Sequence, residues 1–205
     1  MDAWVNKPGF PVVNVTRTGC TLYLTQERFV LFNLSTVDNT SEWENLLWQI
    51  QFTYKTQDKP KKKIDIWIKG ETHTHNLTSD ANSTNCSGGD WIKGNIDRVG
   101  LYRVNYDLDT WEALADQLSS DYTVFSTHDR VSLLDDALAL ARVGYQSYKT
   151  AFKLLNYISR EIEDGVWAVV VNHFRFIQRR LRYEQEYRLL FGFPEDELVG
   201  LPQHK

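Results

Sequence analysis

Histidine, aspartate and serine set close together are the usual material of a hydrolytic centre, and several such groupings occur in this chain. His73 and His75 stand in Thr-His-Thr-His, a spacing that would put both rings on one side of an extended strand, as metal ligands require. No third ligand stands nearby, and a loop flanked by Asn76 is the plainer reading of that segment. His128-Asp129 beside Ser126 has the residue types of a hydrolase relay, but neighbours at a helix start are better explained as capping and dipole contacts. Asp135 and Asp136 would point about 100 degrees apart on a helix, poorly placed to share one substrate as acid and base, with one facing solvent and the other meeting an arginine. Glu161, Glu163 and Asp164, and further on Arg175, Arg179, Arg180 and Arg182, read as solvated faces, with a docking surface as the sharper alternative. Lys59-Pro60-Lys61-Lys62-Lys63 could bind phosphate, but is more simply a solvated hairpin end that discourages edge pairing. These readings assign no catalytic and no metal-binding residue.

Covalent modification is the better-marked chemistry. Asn14, Asn33, Asn39, Asn76, Asn82 and Asn85 each stand two residues before Ser or Thr with no intervening Pro, the acceptor pattern for N-glycosylation. Their concentration in the first half points to the secretory pathway. Cys20 and Cys86, the only two cysteines, could form one bridge in an oxidising compartment or stand as two thiols. A formal charge of -4 argues against nucleic acid as a partner. No apolar run reaches the roughly 18 to 20 residues of a membrane span, and Met1-Asp2-Ala3-Trp4 lacks the basic start and apolar run of a leader.

The elements that must position these residues change type near Tyr106. Before it, apolar residues alternate. Val12, Val13 and Val15 precede a Thr18-Gly19 turn into Cys20 to Thr25, and Arg28 to Phe32 repeats the strand signal after a break at Gln26-Glu27. Asn33 to Ser41 reads as an exposed loop. Trp48, Ile50, Phe52 and Tyr54 alternate with Gln49, Gln51, Thr53 and Lys55 as a half-buried strand, whose neighbour carries Ile64, Ile66 and Ile68. Asn76 to Gly89 is polar, and Trp91 to Lys93 and Leu101 to Tyr106 close a set of about seven strands. After the seam, Trp111, Leu114, Ala115 and Leu118 recur at helical spacing behind the capping carboxylate of Asp107. A second helix starts at Ser126 or Thr127, buries Leu134, Leu138 and Ala141, and stops at Gly144. A third starts at Ser147 and buries Ala151, Leu154, Leu155 and Ile158, and a fourth carries Trp167, Val170, Val171, Phe174, Ile177 and Leu181. The pattern predicts a small β-sandwich over residues 1–106, the first antiparallel helix pairs of an α-helical, HEAT-like solenoid over 107–190, and an unassigned tail at 191–205.

Three segments together resemble one family: Met1-Asp2-Ala3-Trp4 through Gly9-Phe10-Pro11-Val12-Val13, then Gly100 to Asp107, then Asp129-Arg130 through Leu134-Asp135-Asp136-Ala137 to Ala141-Arg142-Val143-Gly144. In order and spacing they are similar to the zinc aminopeptidases that include membrane alanyl aminopeptidase, glutamyl aminopeptidase and the aminopeptidases of the endoplasmic reticulum, over Met1 to about Leu190. The resemblance implies the non-catalytic C-terminal part: the sandwich behind the catalytic domain and the start of the helical bowl over the active site. Its implied partners are that catalytic domain, a peptide substrate only in that context, and a second copy through the helices. The family's zinc and amine-gripping motifs, His-Glu-x-x-His and Gly-x-Met-x-Asn, do not occur in this sequence. Zinc is therefore expected in the catalytic domain of the parent family and no cofactor in this chain. A stand-alone peptide- or protein-binding module is the alternative.

Overall fold

A computed structural model describes residues 4, 8–31, 46–78 and 90–181. The chain forms two small sheets and then four helices packed in pairs. Strands β1 (Phe10–Thr18), β2 (Thr21–Phe29), β5 (Thr72–Asn76) and β7 (Arg103–Tyr106) make a four-stranded sheet of order β5-β2-β1-β7, and β3 (Ile50–Thr56), β4 (Lys59–Ile68) and β6 (Ile92–Gly94) a three-stranded sheet of order β4-β3-β6. Helices α1 (Leu108–Asp121), α2 (Thr127–Arg142), α3 (Tyr148–Lys153) and α4 (Asp164–Leu181) follow. Among the described residues no helix is long and apolar enough to cross a membrane.

The hairpin of β1 and β2 turns at Gly19, whose φ of 57° a residue without Cβ adopts freely, and its register sets Val15 opposite Leu24 and Val13 opposite Gln26. Strand β7 lies parallel to β1 on its other side, Val13 beside Val104 and Val15 beside Tyr106. The same face of this sheet meets Ile50, Phe52, Tyr54, Ile64, Ile66 and Ile68 of the second sheet, all buried. Gly94 of β6 leaves room for the Phe52 ring of the adjoining strand β3, since a Cβ there would stand 2.7 Å from that ring and 3.3 Å from Val104 of the other sheet.

Two expectations for this half fail. Strand β2 runs unbroken through Gln26 and Glu27. Gln26 is buried and its carboxamide is fully used, donating to the carbonyls of Trp48 and Gly70 (both 2.8 Å) and accepting from the Trp48 N–H (2.9 Å), which is how a polar residue is tolerated there. Gln49 and Gln51 are exposed as expected, but the rest of that face of β3, Thr53 and Lys55, is buried, because the loop after β6 and helix α2 cover it. The expected loop at Asn33 to Ser41 lies outside the described residues.

The helices start and stop where their capping residues stand. Asp107 accepts from the Thr110 N–H at 2.8 Å and from the Arg17 N–H at 2.8 Å, so one side chain caps α1, a contribution of about 1 kcal/mol, and ties it to β1. Ser126 caps α2 through the Asp129 N–H (3.2 Å), and Ser147 caps α3 through the Thr150 N–H (3.1 Å). Helix α2 ends in a left-handed Gly144 (φ 87°), with the Tyr145 N–H on Leu140 O and the Gly144 N–H on Ala141 O.

Helix α2 is buried on more than the expected stripe, since Leu133, Ala137, Ala139 and Leu140 are also enclosed. The third helix is not continuous: after α3 the chain tightens into a 3-10 stretch over Leu154–Arg160, which buries Tyr157. One core runs through both halves, from Val12 to Val170, with Trp91 against Phe125 and Tyr106 against Trp111, each ring pair 4.8 Å apart.

Candidate functional site

The densest polar cluster lies where the sheets meet α2. Asp129, in the first turn of α2, is fully enclosed (0% exposed). Its Oδ2 accepts from the Lys55 ammonium of β3 at 2.8 Å, its Oδ1 stands 3.5 Å from the Lys93 ammonium of β6, and Oδ1 also accepts from the Asp97 N–H at 2.9 Å. Burial pushes the Asp129 carboxyl up, but Lys93, Lys55 and the Asp97 N–H outweigh it and hold it below the usual carboxylate range. For Lys93 burial wins and depresses the ammonium, even though Asp129 pulls the other way.

The loop that brings Asp97 to this site is wound left-handed at Asn95, Asp97 and Arg98, with φ of 51°, 56° and 55°, a conformation non-glycine residues hold only when their surroundings fix it. Here they do. The Asn95 carboxamide donates to the carbonyls of Gly100 and Tyr102 and accepts from the Gly100 N–H, each at 2.9 Å. Thr53 Oγ1 takes the Ile96 N–H at 2.8 Å, and Ser126 Oγ donates to Asp97 at 2.6 Å.

Two turns along α2, Asp135 and Asp136 do not divide between solvent and arginine as expected: both meet Arg103 of β7, at 3.0 and 2.8 Å. Asp136 also accepts from the Val104 N–H at 3.0 Å, and Asp135 accepts from Arg98 at 2.7 Å and pairs with His173 of α4 at 2.9 Å. Burial pushes the Asp136 carboxyl up against the pull of Arg103. At Asp135 the same upward push of burial is overcome by His173, Arg103 and Arg98, and the carboxyl is held far below its ordinary value.

A third cluster corrects the expectation that Glu161 is solvated. Glu161 and Arg130 form a buried two-point pair, Nε to Oε2 at 2.7 Å and Nη2 to Oε1 at 3.1 Å, and Arg130 also donates to Phe125 O at 2.7 Å. Glu161 accepts in addition from the Tyr157 hydroxyl (3.1 Å) and from the N–H groups of Ile162 and Glu163 (3.0 Å each). Burial pushes its carboxyl up, but Arg130 and those N–H groups bring it below the glutamate range. Glu163, Asp164, Arg175, Arg179 and Arg180 are exposed, and Arg182 lies outside the described residues.

None of this is arranged for turnover. Asp129 is sealed while His128 is exposed, and Ser126 is spent on Asp97 and the helix cap, so the three do not form a relay. His73 and His75 belong to β5, not to a loop; they pair with Leu24 and Leu22, so both rings lie on the inner face, stacked 6.4 Å apart, with His75 Nε2 2.9 Å from the Tyr54 hydroxyl. Among the described residues no three His, Cys, Asp or Glu side chains converge as a metal ion would need, so the residues described do not fit a zinc centre. Lys61, Lys62 and Lys63 lie exposed within the outer strand β4. Of the sequons, Asn14 is in β1 and Asn76 ends β5; Asn33, Asn39, Asn82 and Asn85, and with them Cys86, lie outside the described residues. Sequence reasoning missed His173, although it shares a helix face with Val166, Val170 and Ile177 and so could have been placed toward the core.

A family model described as the ERAP1-like C-terminal domain matches residues 91–193. Glutamyl aminopeptidase of Sus scrofa is 36% identical over 199 residues, which are 97% of this chain and 20% of that protein. Glutamyl aminopeptidase of Bos taurus is 35% identical over 177 residues (86% and 18%), and the thyrotropin-releasing hormone-degrading ectoenzyme of Homo sapiens 31% identical over 174 residues (82% and 16%). The chain thus spans 16 to 20% of the length of these curated relatives.

Proposed function

The chain belongs to the ERAP1-like C-terminal domain family, and on that premise we propose that it is the non-catalytic C-terminal part of a zinc metalloaminopeptidase that removes N-terminal amino acids from peptides. The observation that carries this reading is the charged seam: Lys55, Lys93 and Arg103 from the sheets, with Arg98 from the loop after β6, hold Asp129, Asp135 and Asp136 of α2. Such a seam sets the angle at which helices leave a sandwich, and its centre at Asp129 and Lys93 is closed to a bound molecule. Residues 1–106 then act as a supporting sandwich, 107–190 as the start of the helical cover, and zinc is held by the catalytic domain.

In this reading the chain works on the outer side of the plasma membrane or in the secretory pathway, in keeping with a relative whose name contains the word ectoenzyme. A Cys20–Cys86 bridge belongs with that location; peptide mapping of the secreted chain without reductant should recover the two cysteines in one linked peptide, and separate alkylated peptides would refute the bridge. The purified chain should release no product from an aminoacyl reporter and carry no stoichiometric zinc. Turnover together with one bound zinc would overturn the reading.

A second reading has its own observation. Phe152, Trp167, Val171 and Phe174 form an exposed ridge along α3 and α4, Trp167 being 39% and Phe174 44% exposed, with the rings of Phe152 and Phe174 stacked at 5.8 Å. A module that holds a peptide, a protein or a second copy of itself through this ridge is the alternative. It predicts capture by the chain alone, whereas the first reading predicts that the chain supports activity only with a catalytic domain of the family supplied in trans.

A further inference from the structure

We propose that the lysine-bearing bulge of strand β4 binds a linear sulfated polysaccharide. Lys59-Pro60-Lys61-Lys62-Lys63 reads as the end of a hairpin, but the turn lies earlier, at Gln57-Asp58, and Lys59 already pairs with Thr56. The next pair along is Ile64 with Tyr54. Between these two pairs β3 has the single residue Lys55 and β4 has four, Pro60 to Lys63, so the ladder breaks and the longer side is pushed out of the sheet. Pro60 suits that break because it has no N–H to leave unpaired. Past it Ile64, Ile66 and Ile68 return to the core, while Lys61, Lys62 and Lys63 stay exposed.

The bulge presents positive charge in close order. Two carboxylates flank it, Asp58 and Asp65, against the four ammonium groups of Lys59, Lys61, Lys62 and Lys63. Asp58 accepts from the Thr56 hydroxyl, and Asp65 stands 3.8 Å from Lys63 with both side chains 45% exposed, a pair that water and salt weaken. An extended chain covers at most about 13 Å between Lys59 and Lys63, a span too long for one small anion and suited to successive groups on a polymer. The cluster has no arginine, hence no planar fork to grip one phosphate or carboxylate at two points. Lysines act as point charges, and their attraction accumulates when one ligand engages several of them. The chain as a whole carries a charge of -4, so it repels polyanions except at such a patch. Sulfated polysaccharides are the polyanions that surround secreted and cell-surface proteins. That choice of polymer rests on the extracellular reading above; attraction of the bulge for closely spaced anions does not.

The full chain is titrated with a size-defined heparin oligosaccharide at low and at physiological salt, and separately with inorganic sulfate and with phosphatidylserine vesicles. Heparin should bind, less tightly as salt rises, and neither inorganic sulfate nor the vesicles should. Lys61→Gln/Lys63→Gln should weaken heparin binding about 25-fold, at roughly fivefold for each lysine beside an anionic surface, with an unchanged midpoint of unfolding in urea. Arg175→Gln/Arg179→Gln removes the same charge from exposed positions of α4 and should leave the affinity as it was. Equal losses in the two variants would overturn the proposal, since net charge and not the bulge would then set the affinity. So would a folded wild-type chain that ignores heparin, or vesicle binding that depends on the same lysines, which would make the partner a membrane. The peptide mapping of Cys20 and Cys86 tests the extracellular reading by itself, so the two can fail separately.

Discussion

Replacing Glu161 with alanine should lower the free energy of unfolding by about 3–5 kcal/mol, the range for breaking a buried ion pair by removing one partner. The loss is not mainly that of one attraction. Arg130 stays under Tyr122 and beside Phe125 with its charge unanswered, and the Tyr157 hydroxyl and the N–H groups of Ile162 and Glu163 lose their acceptor together. Equilibrium denaturation in urea reads the effect, and a variant within 1 kcal/mol of wild type, on the order of the median surface pair, would refute it. The pair also sets a pH dependence. Glu161 has its folded pKa below the ordinary value of 4.5, so its contribution is complete above that value and is lost as pH falls through the lower, folded one. In Glu161→Ala the stability curve should flatten on the acid side.

The second large effect belongs to Asp129. Asp129→Ala leaves two ammonium groups, those of Lys55 and Lys93, enclosed with no anion between them, and orphans the Asp97 N–H that holds the left-handed loop. A cost of at least about 3–5 kcal/mol follows, enough to unfold a domain of ordinary stability. A second route keeps the claim testable if that variant does not fold. Asp129→Asn keeps the shape and an acceptor oxygen but drops the charge. On that background Lys93→Met removes one of the stranded cations, so it should cost less than in the wild-type chain, or even stabilise. A cycle in which Lys93→Met costs the same on both backgrounds would show that the groups are uncoupled. On acidification Asp129 acts in the same sense as Glu161, while Asp136, raised by burial, acts in the opposite sense because the folded chain takes up its proton first.

What could be read from the sequence divides by the distance over which each residue finds its partner. Asp107, Ser126, Ser147, Gly144 and the Gly19 turn act on backbone within a few residues, and each stands where its residue type indicates. The alternation of Ile64, Ile66 and Ile68 and the period of Trp111, Leu114 and Leu118 locate buried faces for the same reason. Glu161 looked solvated because its partner is 31 residues away, and Lys55 because Asp129 is 74 residues away. A charge answered by a distant opposite charge has the same local sequence as one answered by water. Gln26 misled in the same manner: a polar pair in an apolar run signals a break, unless both arms of the amide are taken up by another strand's neighbourhood, as they are at Trp48 and Gly70. The two imidazoles of β5 read as loop residues because the polar sequon after them has the composition of one. The family likeness, in contrast, is legible in short runs around Pro11, Tyr102 and Asp135, and the family model matches residues 91–193.

Between Tyr106 and Leu108 there is a single residue, Asp107, and both oxygens of its side chain are engaged, one on each side of the junction. A hinge needs slack, and this joint has none. Any longer polypeptide that contains it must bend elsewhere to admit or release what it handles, and here it will swing as one piece.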